Sequence, residues 1–387
     1  MAMLLSYNVR NVVVRWRVSS LAVGGIALVV AVLIVLVAMS TGFRETLAAT
    51  GSLDNAILTQ RGSASELTSG LSLTEIAFLT VDPHVARRAD GTPLASPEMV
   101  VVANMERRVD GKPTNVLVRG ITPMAFEVRR DVRLVEGRWF EGGKTEIVVG
   151  KRIRERVAGL EPGSVISLQR RQWRVVGVFE AEGSGFESEI WGDADVMRPA
   201  FNRAQGYQSL TVRVRDPLAI EGWATDLEKS PFLRATAKNE RQYYADQAGP
   251  LATLLLFLAG FVSTVMGVGA AFGAMNTMNG IIATRTREVG TLRALGFPRL
   301  RILFAFLAEA TMLAFAGGVL GVLIALPFDG LESAVGNQFS ELAFSFRVTA
   351  DAIVTGLVVA VSMGVFGGLL PAWRASRIPI TAALRDA

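Results

Sequence analysis

The chain has 387 residues, half of them hydrophobic, and a formal net charge of +5, with one histidine and no cysteine. Its length leaves room for roughly two or three domains. Without cysteine the chain has no disulfide, no thiolate metal site and no lipid-modified N-terminal cysteine, and a single histidine argues against a histidine-based zinc site. We therefore expect no bound metal.

Four apolar runs are long enough to cross a bilayer. The first, Leu21–Met39, has no charged residue, and at about 1.5 Å per residue it matches the hydrocarbon thickness. Buried core helices usually come as shorter amphipathic segments of roughly 10–14 residues, so run length favours membrane helices. The predicted membrane helices are residues 19–41, 251–278, 302–328 and 352–373.

The first apolar run has an alternative interpretation as a signal peptide, because Ala38, Met39 and Ser40 form a small-x-small end. The run is longer than the usual cleavable core of roughly 7–15 residues, and a basic leader precedes it. We therefore expect an uncleaved anchor that follows a cytosolic amphipathic leader at residues 1–18.

Arginine placement predicts the topology. Residues 1–18, 279–301 and 374–387 are basic, whereas the loop at 329–351 is acidic. With four spans, the three basic segments fall on one side, as the positive-inside rule requires. Both termini are then cytosolic and residues 42–250 lie outside. This outer segment has equal numbers of basic and acidic residues, so the chain's excess positive charge belongs to the inner membrane surface, which excludes a nucleic-acid footprint.

Residues 42–250 predict an α+β domain. "TNVLVRG" and "SLTVRVR" show the alternation of strands with one wet face. The small, polar segment Gly62–Gly70 predicts a loop or flexible flap. "ERQYYADQAGP" predicts a helix leading into the second span, with Gly249-Pro250 as the point where it would bend. The predicted strands are Ala56–Gln60, Met99–Val109, Asn115–Ile121, Glu146–Gly150, Val165–Leu168, Trp173–Glu180 and Ser209–Arg215, and the predicted helices are Lys151–Ala158, Ala194–Ala204 and Pro217–Lys229.

One stretch in this segment partly matches a nucleotide-binding motif. "GRWFEGGKT" ends in Gly143, Lys144 and Thr145, like the end of a phosphate-binding loop. That motif requires glycine at position 138, which is Arg138 here. No other stretch fits, and no Ser/His/Asp or Cys/His arrangement suggests a hydrolase. We therefore expect no catalytic residues and no cofactor bound by this chain.

Glycine pairs and one acid mark the membrane spans. Glycines four residues apart occur in three spans and would let helix backbones approach closely, although glycine is frequent in membrane helices generally. Glu309, near the start of the third span, is an intramembrane acid and so a functional candidate. It either snorkels to the cytosolic interface or pairs with a neighbouring arginine, and its place near a helix end favours snorkelling. The glycines predicted to pack helices are Gly269, Gly273, Gly317, Gly321, Gly364 and Gly368.

The segment "ATRTREVGTLRALGFPRLRI" places five arginines and one acid between two apolar runs. Val289, Leu292 and Leu295 recur at helical spacing. Gly296 supplies a left-handed stop, and Pro298 suits the first turn of the next helix. The pattern predicts a short amphipathic helix on the cytosolic membrane face. Its arginines either fix topology and hold lipid headgroups, or the helix docks on a cytosolic partner; both interpretations fit the pattern.

Longer stretches resemble a known family. "RTREVGTLRALGFPRLRILFAFLAEA" followed by "GGVLG" resembles the signature of the FtsX/MacB-type permeases of ABC transporters, which include LolC and LolE. "EGRWFEGGKTEIVVGKRI" with "EPGSVISLQRRQWRVVGVFE" is similar to the outer domain of MacB-like permeases. The resemblance implies an α-helical inner-membrane protein with four transmembrane helices and a large extracytoplasmic α+β domain inserted between helices 1 and 2. Residues 56–100 match less clearly.

The resemblance also implies a function. The chain would be a permease subunit, dimeric with an identical or a different permease, that exports or extracts a hydrophobic or lipid-linked substrate. Only 18 residues precede the first predicted span, so we expect the ATPase, with its ATP and magnesium, to be a separate cytosolic subunit. A membrane-fusion adaptor or substrate-binding partner and membrane lipids are further expected partners. The alternative is an FtsX-like signalling subunit that activates an extracytoplasmic cell-wall hydrolase. The coupling helix implied by the resemblance includes Arg285, Arg287, Glu288, Val289, Gly290, Leu292, Arg293, Ala294, Leu295 and Gly296.

Overall fold

The computed structural model describes residues 16–336 and 341–380. Most of the predicted leader, the end of the predicted tail and residues 337–340 of the predicted outer loop lie outside the described residues. The chain divides into two compact units. The helical unit contains the chain up to Thr41, Leu251–Leu331 and the chain from Phe346 onward, and the sheet unit contains Gly42–Pro250 and Glu332–Ser345.

Helices and strands are numbered separately along the described chain. The helices are α1 (Trp16–Ala48), α2 (Leu73–Thr80), α3 (Ala125–Val128), α4 (Lys151–Arg156), α5 (Ala194–Ala200), α6 (Ile220–Lys229), α7 (Glu240–Ala283), α8 (Thr286–Ala294), α9 (Arg299–Ala325) and α10 (Ala350–Ser376). The strands are β1 (Asn55–Gln60), β2 (Leu71–Ser72), β3 (Ala95–Glu106), β4 (Pro113–Ile121), β5 (Arg133–Gly137), β6 (Glu146–Gly150), β7 (Val165–Leu168), β8 (Arg171–Glu180), β9 (Glu189–Asp193), β10 (Gly206–Tyr207), β11 (Ser209–Arg213), β12 (Ala235–Asn239), β13 (Glu332–Gly336) and β14 (Glu341–Ser345).

The helical unit is built from four long helices, α1, α7, α9 and α10. In the described chain these four are long and apolar enough to cross a membrane, as the run lengths predict. Branched apolar side chains of α1, such as Ile26 and Val30, pack with small residues such as Ala314 of α9 and Ala360 of α10. Helix α10 starts where the Thr349 hydroxyl accepts a hydrogen bond from the Ala352 N–H at 3.3 Å, an N-cap that satisfies an otherwise unpaired donor.

Helix α7 is one continuous helix. It begins at Glu240, as the sequence predicts, and contains Pro250 in its interior. The chain passes from the sheet unit to the helical unit at this proline.

The sheet unit is organised around a 10-stranded mixed sheet. Its strand order is β12-β1-β11-β3-β4-β9-β6-β8-β5, and β7 pairs with β8. Strands β3 and β4 form a long antiparallel pair, while β4 lies parallel to β9 with Val118 opposite Ile190. Each strand predicted from the sequence overlaps one of these strands, so the predicted α+β domain is confirmed.

Separate hydrophobic clusters cover different parts of this sheet. One cluster includes Leu210 of β11 with Trp223 and Leu227 of α6. A second includes Val118 of β4 and Trp173 of β8. The side chains in each cluster are buried. Removal of apolar surface from water is the main favourable contribution to folding.

Two segments that the sequence predicts as loops are ordered parts of the sheet unit. The segment Gly62–Gly70 is a loop with one 3-10 turn, in which Glu66 is buried, so of the two predicted alternatives the loop is the one observed. Strands β13 and β14, from the predicted outer loop, form a hairpin whose Ala343 N–H donates to the Ser188 hydroxyl at 3.1 Å. Both segments are held by tertiary contacts that their own sequences do not indicate.

Candidate functional site

The candidate site is the short helix α8 with the turn that follows it. Gly296 has a φ of +87°, in the left-handed region. Its N–H donates to the Arg293 carbonyl at 3.1 Å, and the Phe297 N–H donates to the Leu292 carbonyl at 3.1 Å. Pro298 then occupies the N-cap of α9. These bonds satisfy carbonyls at the helix end, so the predicted stop at Gly296 is confirmed.

One face of α8 is buried inside the helical unit. Val289 is only 2% exposed and belongs to a hydrophobic cluster with Met278 of α7 and Ile302 and Phe306 of α9. The neighbouring Gly290 is also buried. The resemblance includes Val289 in a helix that would contact a partner protein. That role needs correction for this side chain, because Val289 is already enclosed by its own chain.

A buried ion pair fixes the start of the same helix. The Arg285 guanidinium donates from Nη1 to Glu309 Oε2 at 2.8 Å, and both side chains are almost fully buried. Arg285 also donates from Nε to Glu288 Oε2 at 3.2 Å and lies over the Phe306 ring, 5.7 Å from its centroid. Glu309 thus pairs with arginine instead of snorkelling, so the favoured interpretation of this acid is wrong and its alternative is correct.

A second arginine ties α8 to the chain after α10. Arg293 donates from Nη1 to the Ile378 carbonyl at 2.9 Å. The helix is therefore held near its start by Arg285 and near its end by Arg293. Both contacts lie within the helical unit.

Apolar side chains beside the buried Val289 face of α8, and just past the end of the helix, are exposed. Leu295 is 72% exposed and Leu292 is 36% exposed, and Arg287, Glu288, Ala294 and Gly296 are exposed as well. The exposed apolar surface continues past the predicted site into Phe297 and Leu300. The sequence-based prediction of the site does not include these two residues, because they lie beyond the Gly296 stop.

The predicted glycine pairs fall into two groups. A Cβ at Gly317 would lie 2.9 Å from the Val23 carbonyl oxygen, and one at Gly321 would lie 2.6 Å from that of Ala27, so both glycines face the α1 backbone. Gly364 and Gly368 face Ala314 and Ala310 of α9 just as closely. At Gly269 and Gly273 of α7, no described atom beyond the helix's own neighbouring residues lies within 4 Å of an added Cβ. A packing role for this last pair stays a prediction.

Comparisons with known proteins assign the family. A model described as the MacB-like periplasmic core domain matches residues 19–230, and one described as the FtsX-like permease C-terminal region matches residues 260–380. The chain therefore belongs to the FtsX/MacB-type family of ABC transporter permeases and is a multi-pass membrane protein with a MacB-like core domain.

Individual relatives carry the name macrolide export ATP-binding/permease protein MacB. That of Burkholderia thailandensis is 30% identical over 294 residues, which cover 70% of this chain and 43% of the relative. That of Bordetella avium is 27% identical over 392 residues, covering 94% and 57%. The chain thus spans about half the length of the curated relatives that it matches.

Two solved structures are similar to the chain at low identity. The periplasmic region of MacB from Actinobacillus actinomycetemcomitans matches at 14% identity and a TM-score of 0.38, covering 53% of this chain and 97% of that one. The extracellular domain of the noncanonic ABC-type transporter YknZ from Gram-positive bacteria matches at 17% identity and a TM-score of 0.35, covering 48% and 100%.

Proposed function

We propose that this chain is the permease subunit of an ABC transporter whose helix α8 docks on a separate cytosolic ATPase. The observation that carries the proposal is that α8 is anchored while apolar side chains at its C-terminal end are exposed. The anchor is Val289 with the Arg285–Glu309 pair, and the exposed side chains are Leu292, beside the anchored face, and Leu295, at the helix end. An amphipathic helix with a free apolar face is the arrangement that recognition in a partner's groove requires.

The orientation follows from charge. The basic segments, which include the α7–α9 connection, would lie in the cytosol with both termini, and the sheet unit would lie outside the inner membrane. This orientation places α8 where ATP is available. The chain itself would bind no nucleotide, and ATP with magnesium would bind in the partner ATPase.

Coupling would proceed by movement of α8 with its anchors. ATP binding would close two ATPase subunits and shift α8, and the Arg285–Glu309 pair would carry that shift to α9. A second permease copy, identical or different, would complete the assembly and would give Gly269 and Gly273 a packing neighbour. The cargo would be hydrophobic or lipid-linked, and an adaptor or substrate-binding partner would act on the outer side.

Transport has more support than the signalling alternative. The curated relatives described above are named as export proteins. A signalling subunit would be marked instead by a stable complex with an outer hydrolase and by ATPase activity indifferent to cargo.

The test is a surface substitution that leaves the helical unit intact. Leu295→Asp, combined with Leu292→Asp, would place charge on the exposed face of α8 without disturbing Val289. We expect the stimulation of ATPase activity by the permease to be lost when the full chain is reconstituted with its cognate ATPase. Membrane insertion, measured by labelling of loops in intact vesicles, should be unchanged.

Leu331→Asp is the matched control. Leu331 is also a half-exposed leucine of the helical unit, but it lies in the predicted outer loop, away from any cytosolic partner. Its substitution should leave stimulation intact. Full stimulation in the α8 double variant would contradict the docking role.

A further inference from the structure

A small cavity in the sheet unit is lined mostly by polar and charged side chains. Its volume is about 90 Å³, and all of its lining residues belong to the sheet unit. At about 30 Å³ per water molecule, the cavity has room for roughly three waters or for one small organic molecule. Sites for drug-sized ligands are larger, at roughly 300–1,000 Å³. The lining includes Asn55, Arg129, Asp131, Ser184, Glu240 and Arg241.

One wall of the cavity belongs to a buried network of charges. Arg129 donates from Nε to Glu240 Oε1 at 2.9 Å, from both terminal nitrogens to Glu98, and from Nη2 to the Thr211 hydroxyl at 3.0 Å. Glu98 is shared with Arg119. Burying a charge is costly unless it is paired, so Arg129 and Glu240 are committed to each other and to the network. The ion pairs of the network join Arg119 and Arg129 to Glu66, Glu98, Glu189 and Glu240.

Asn55 contributes a buried acceptor that has no partner. Its Nδ2 donates to Glu240 Oε2 at 2.8 Å and to the Val128 carbonyl at 3.2 Å. Both of these partners are acceptors, which fixes the NH₂ group on that side of the amide and the Oδ1 atom on the other. Oδ1 is buried and has no hydrogen-bond partner in the described part of the chain. An unpaired buried acceptor is costly, so a ligand that donates a hydrogen bond to Oδ1 would be stabilised there.

Ser184 contributes a second unpaired polar atom to the same cavity. It is 2% exposed, and its hydroxyl has no hydrogen-bond partner among the described residues. Ser184 precedes the 3-10 turn Gly185–Ser188 at the N-cap position, where a serine hydroxyl commonly accepts a backbone hydrogen bond, but no such bond forms here. The large majority of buried polar side-chain atoms have a partner. Two exceptions in the wall of one small cavity therefore point to a ligand.

Two exposed side chains of opposite charge complete the lining. Asp131 and Arg241 are both exposed, and neither forms an ion pair with another residue that the structure describes. A primary ammonium group has three N–H donors and no acceptor, so it matches the Asp131 carboxylate and the unpaired oxygens of Asn55 and Ser184. A carboxylate or phosphate group matches the Arg241 guanidinium.

We propose that this cavity binds a small zwitterion, in which a primary ammonium group and an anionic group are a few atoms apart. The ammonium group donates to Asn55 Oδ1 and the Ser184 hydroxyl and faces Asp131, while the anionic group pairs with Arg241. A free amino acid as small as glycine has this chemistry, and so does the phosphoethanolamine headgroup of a phospholipid. The cavity and its unpaired atoms lie apart from α8, so the proposal does not depend on docking of an ATPase.

The discriminating variant is Ser184→Ala. It removes a hydroxyl that makes no hydrogen bond in the described chain, so the variant should unfold at the same temperature as the parent and still bind the zwitterion more weakly. Asp131→Asn tests the charge at an exposed position. Ser96→Ala is the matched control, because Ser96 is also buried in the sheet unit but accepts from the Thr122 hydroxyl and does not line the cavity. It should lose some stability and bind the zwitterion as the parent does.

Isothermal titration calorimetry of the full chain measures the binding. The chain is held in nanodiscs of phosphatidylcholine, whose headgroup has no N–H donor. The probes are free glycine, phosphoethanolamine and glycine betaine, whose trimethylated nitrogen keeps the charge but has no N–H. We expect saturable binding of glycine or phosphoethanolamine and none of betaine. Ser184→Ala and Asp131→Asn should each weaken binding about tenfold, as expected for one hydrogen bond to a charged group.

The same titrations distinguish the two sources and can overturn the proposal. Binding of free glycine identifies an amino-acid site, whereas binding of phosphoethanolamine alone, abolished by phosphatidylethanolamine in the nanodisc, identifies a lipid-headgroup site. Absence of saturable binding by either probe would mean that the cavity holds water only. Betaine binding as tight as that of the other probes, or unchanged binding in both Ser184→Ala and Asp131→Asn, would also contradict the proposal.

Discussion

The two buried charge sites of this protein are built on different scales. In the helical unit, Arg285 and Glu309 form a pair between residues 24 apart in sequence. In the sheet unit, Arg119 and Arg129 form ion pairs with four acids. The paired residues are up to 111 positions apart in sequence. The pair joins one short helix to its neighbour, whereas the network joins strands, turns and the start of α7. Removal of one member should therefore have a local effect in the first site and a global effect in the second.

The largest effect is expected from Arg119→Met. This change leaves Glu66, Glu98 and Glu189 without their shared cation, and breaking even one buried pair costs about 3–5 kcal/mol. The sheet unit should unfold or melt far below the parent, as measured by tryptophan fluorescence of the full chain. Arg138→Met is the control. Arg138 is half exposed and also binds an acid, and an exposed ion pair contributes about 1 kcal/mol or less. Similar melting of both variants would show that burial does not distinguish them.

A smaller loss of stability is expected from Arg285→Met. This change removes the buried cation that pairs with Glu309, at a cost of about 3–5 kcal/mol. The double variant Arg285→Met with Glu309→Met should recover most of this stability, since it removes both charges together. Thermal stability of the detergent-solubilised chain measures both, and Arg287→Met supplies an exposed neighbouring control. Absence of recovery in the double variant would mean that Arg285 acts mainly through Glu288.

Acid should weaken the network through Glu66. Its pKa is lowered from the usual 4.5, so the unfolded chain takes up this proton at a higher pH than the folded chain does. The stabilisation is complete above pH 4.5 and is lost as the pH falls through the folded-state value. Urea unfolding of the full chain at decreasing pH should show this loss, and Glu66→Gln should flatten it. An unchanged slope in that variant would exclude Glu66 as the titrating group.

The smallest effect is expected from Thr211→Val, which removes one neutral acceptor from Arg129. The expected cost is about 1–3 kcal/mol, because one buried N–H of Arg129 loses its acceptor while both of its acids remain. Thr225→Val, at an exposed helix position, should change the melting temperature even less. A cost as large as that of Arg119→Met would mean that the network tolerates no missing contact.

Sequence reasoning succeeded where the signal is local. Run length predicts the four membrane helices, alternation predicts strands such as Glu146–Gly150, and Gly296 with Pro298 predicts the end of α8. These features depend on residues within one or two turns of each other. The same reasoning placed Val289 on a partner surface, because helical spacing identifies an apolar stripe without saying what covers it.

Long-range pairing is what the sequence did not reveal. Glu66 lies in a small, polar segment that predicts a loop or a flexible flap, and its burial becomes visible only when Arg119 and Tyr244 are brought beside it. For Glu309 the sequence predicts pairing with an arginine as one of two alternatives, but it does not identify Arg285, 24 residues earlier, as the partner. Charge partners separated by most of a domain leave no periodic signal, and therefore only the folded chain identifies them.

Pro250 interrupts the backbone hydrogen bonding in the interior of α7. Proline has no N–H, so the carbonyl of Asp246, four residues earlier, has no backbone donor within the helix, and the ring crowds that carbonyl. The helix therefore lacks one backbone donor at this residue, and replacing Pro250 with alanine would restore it.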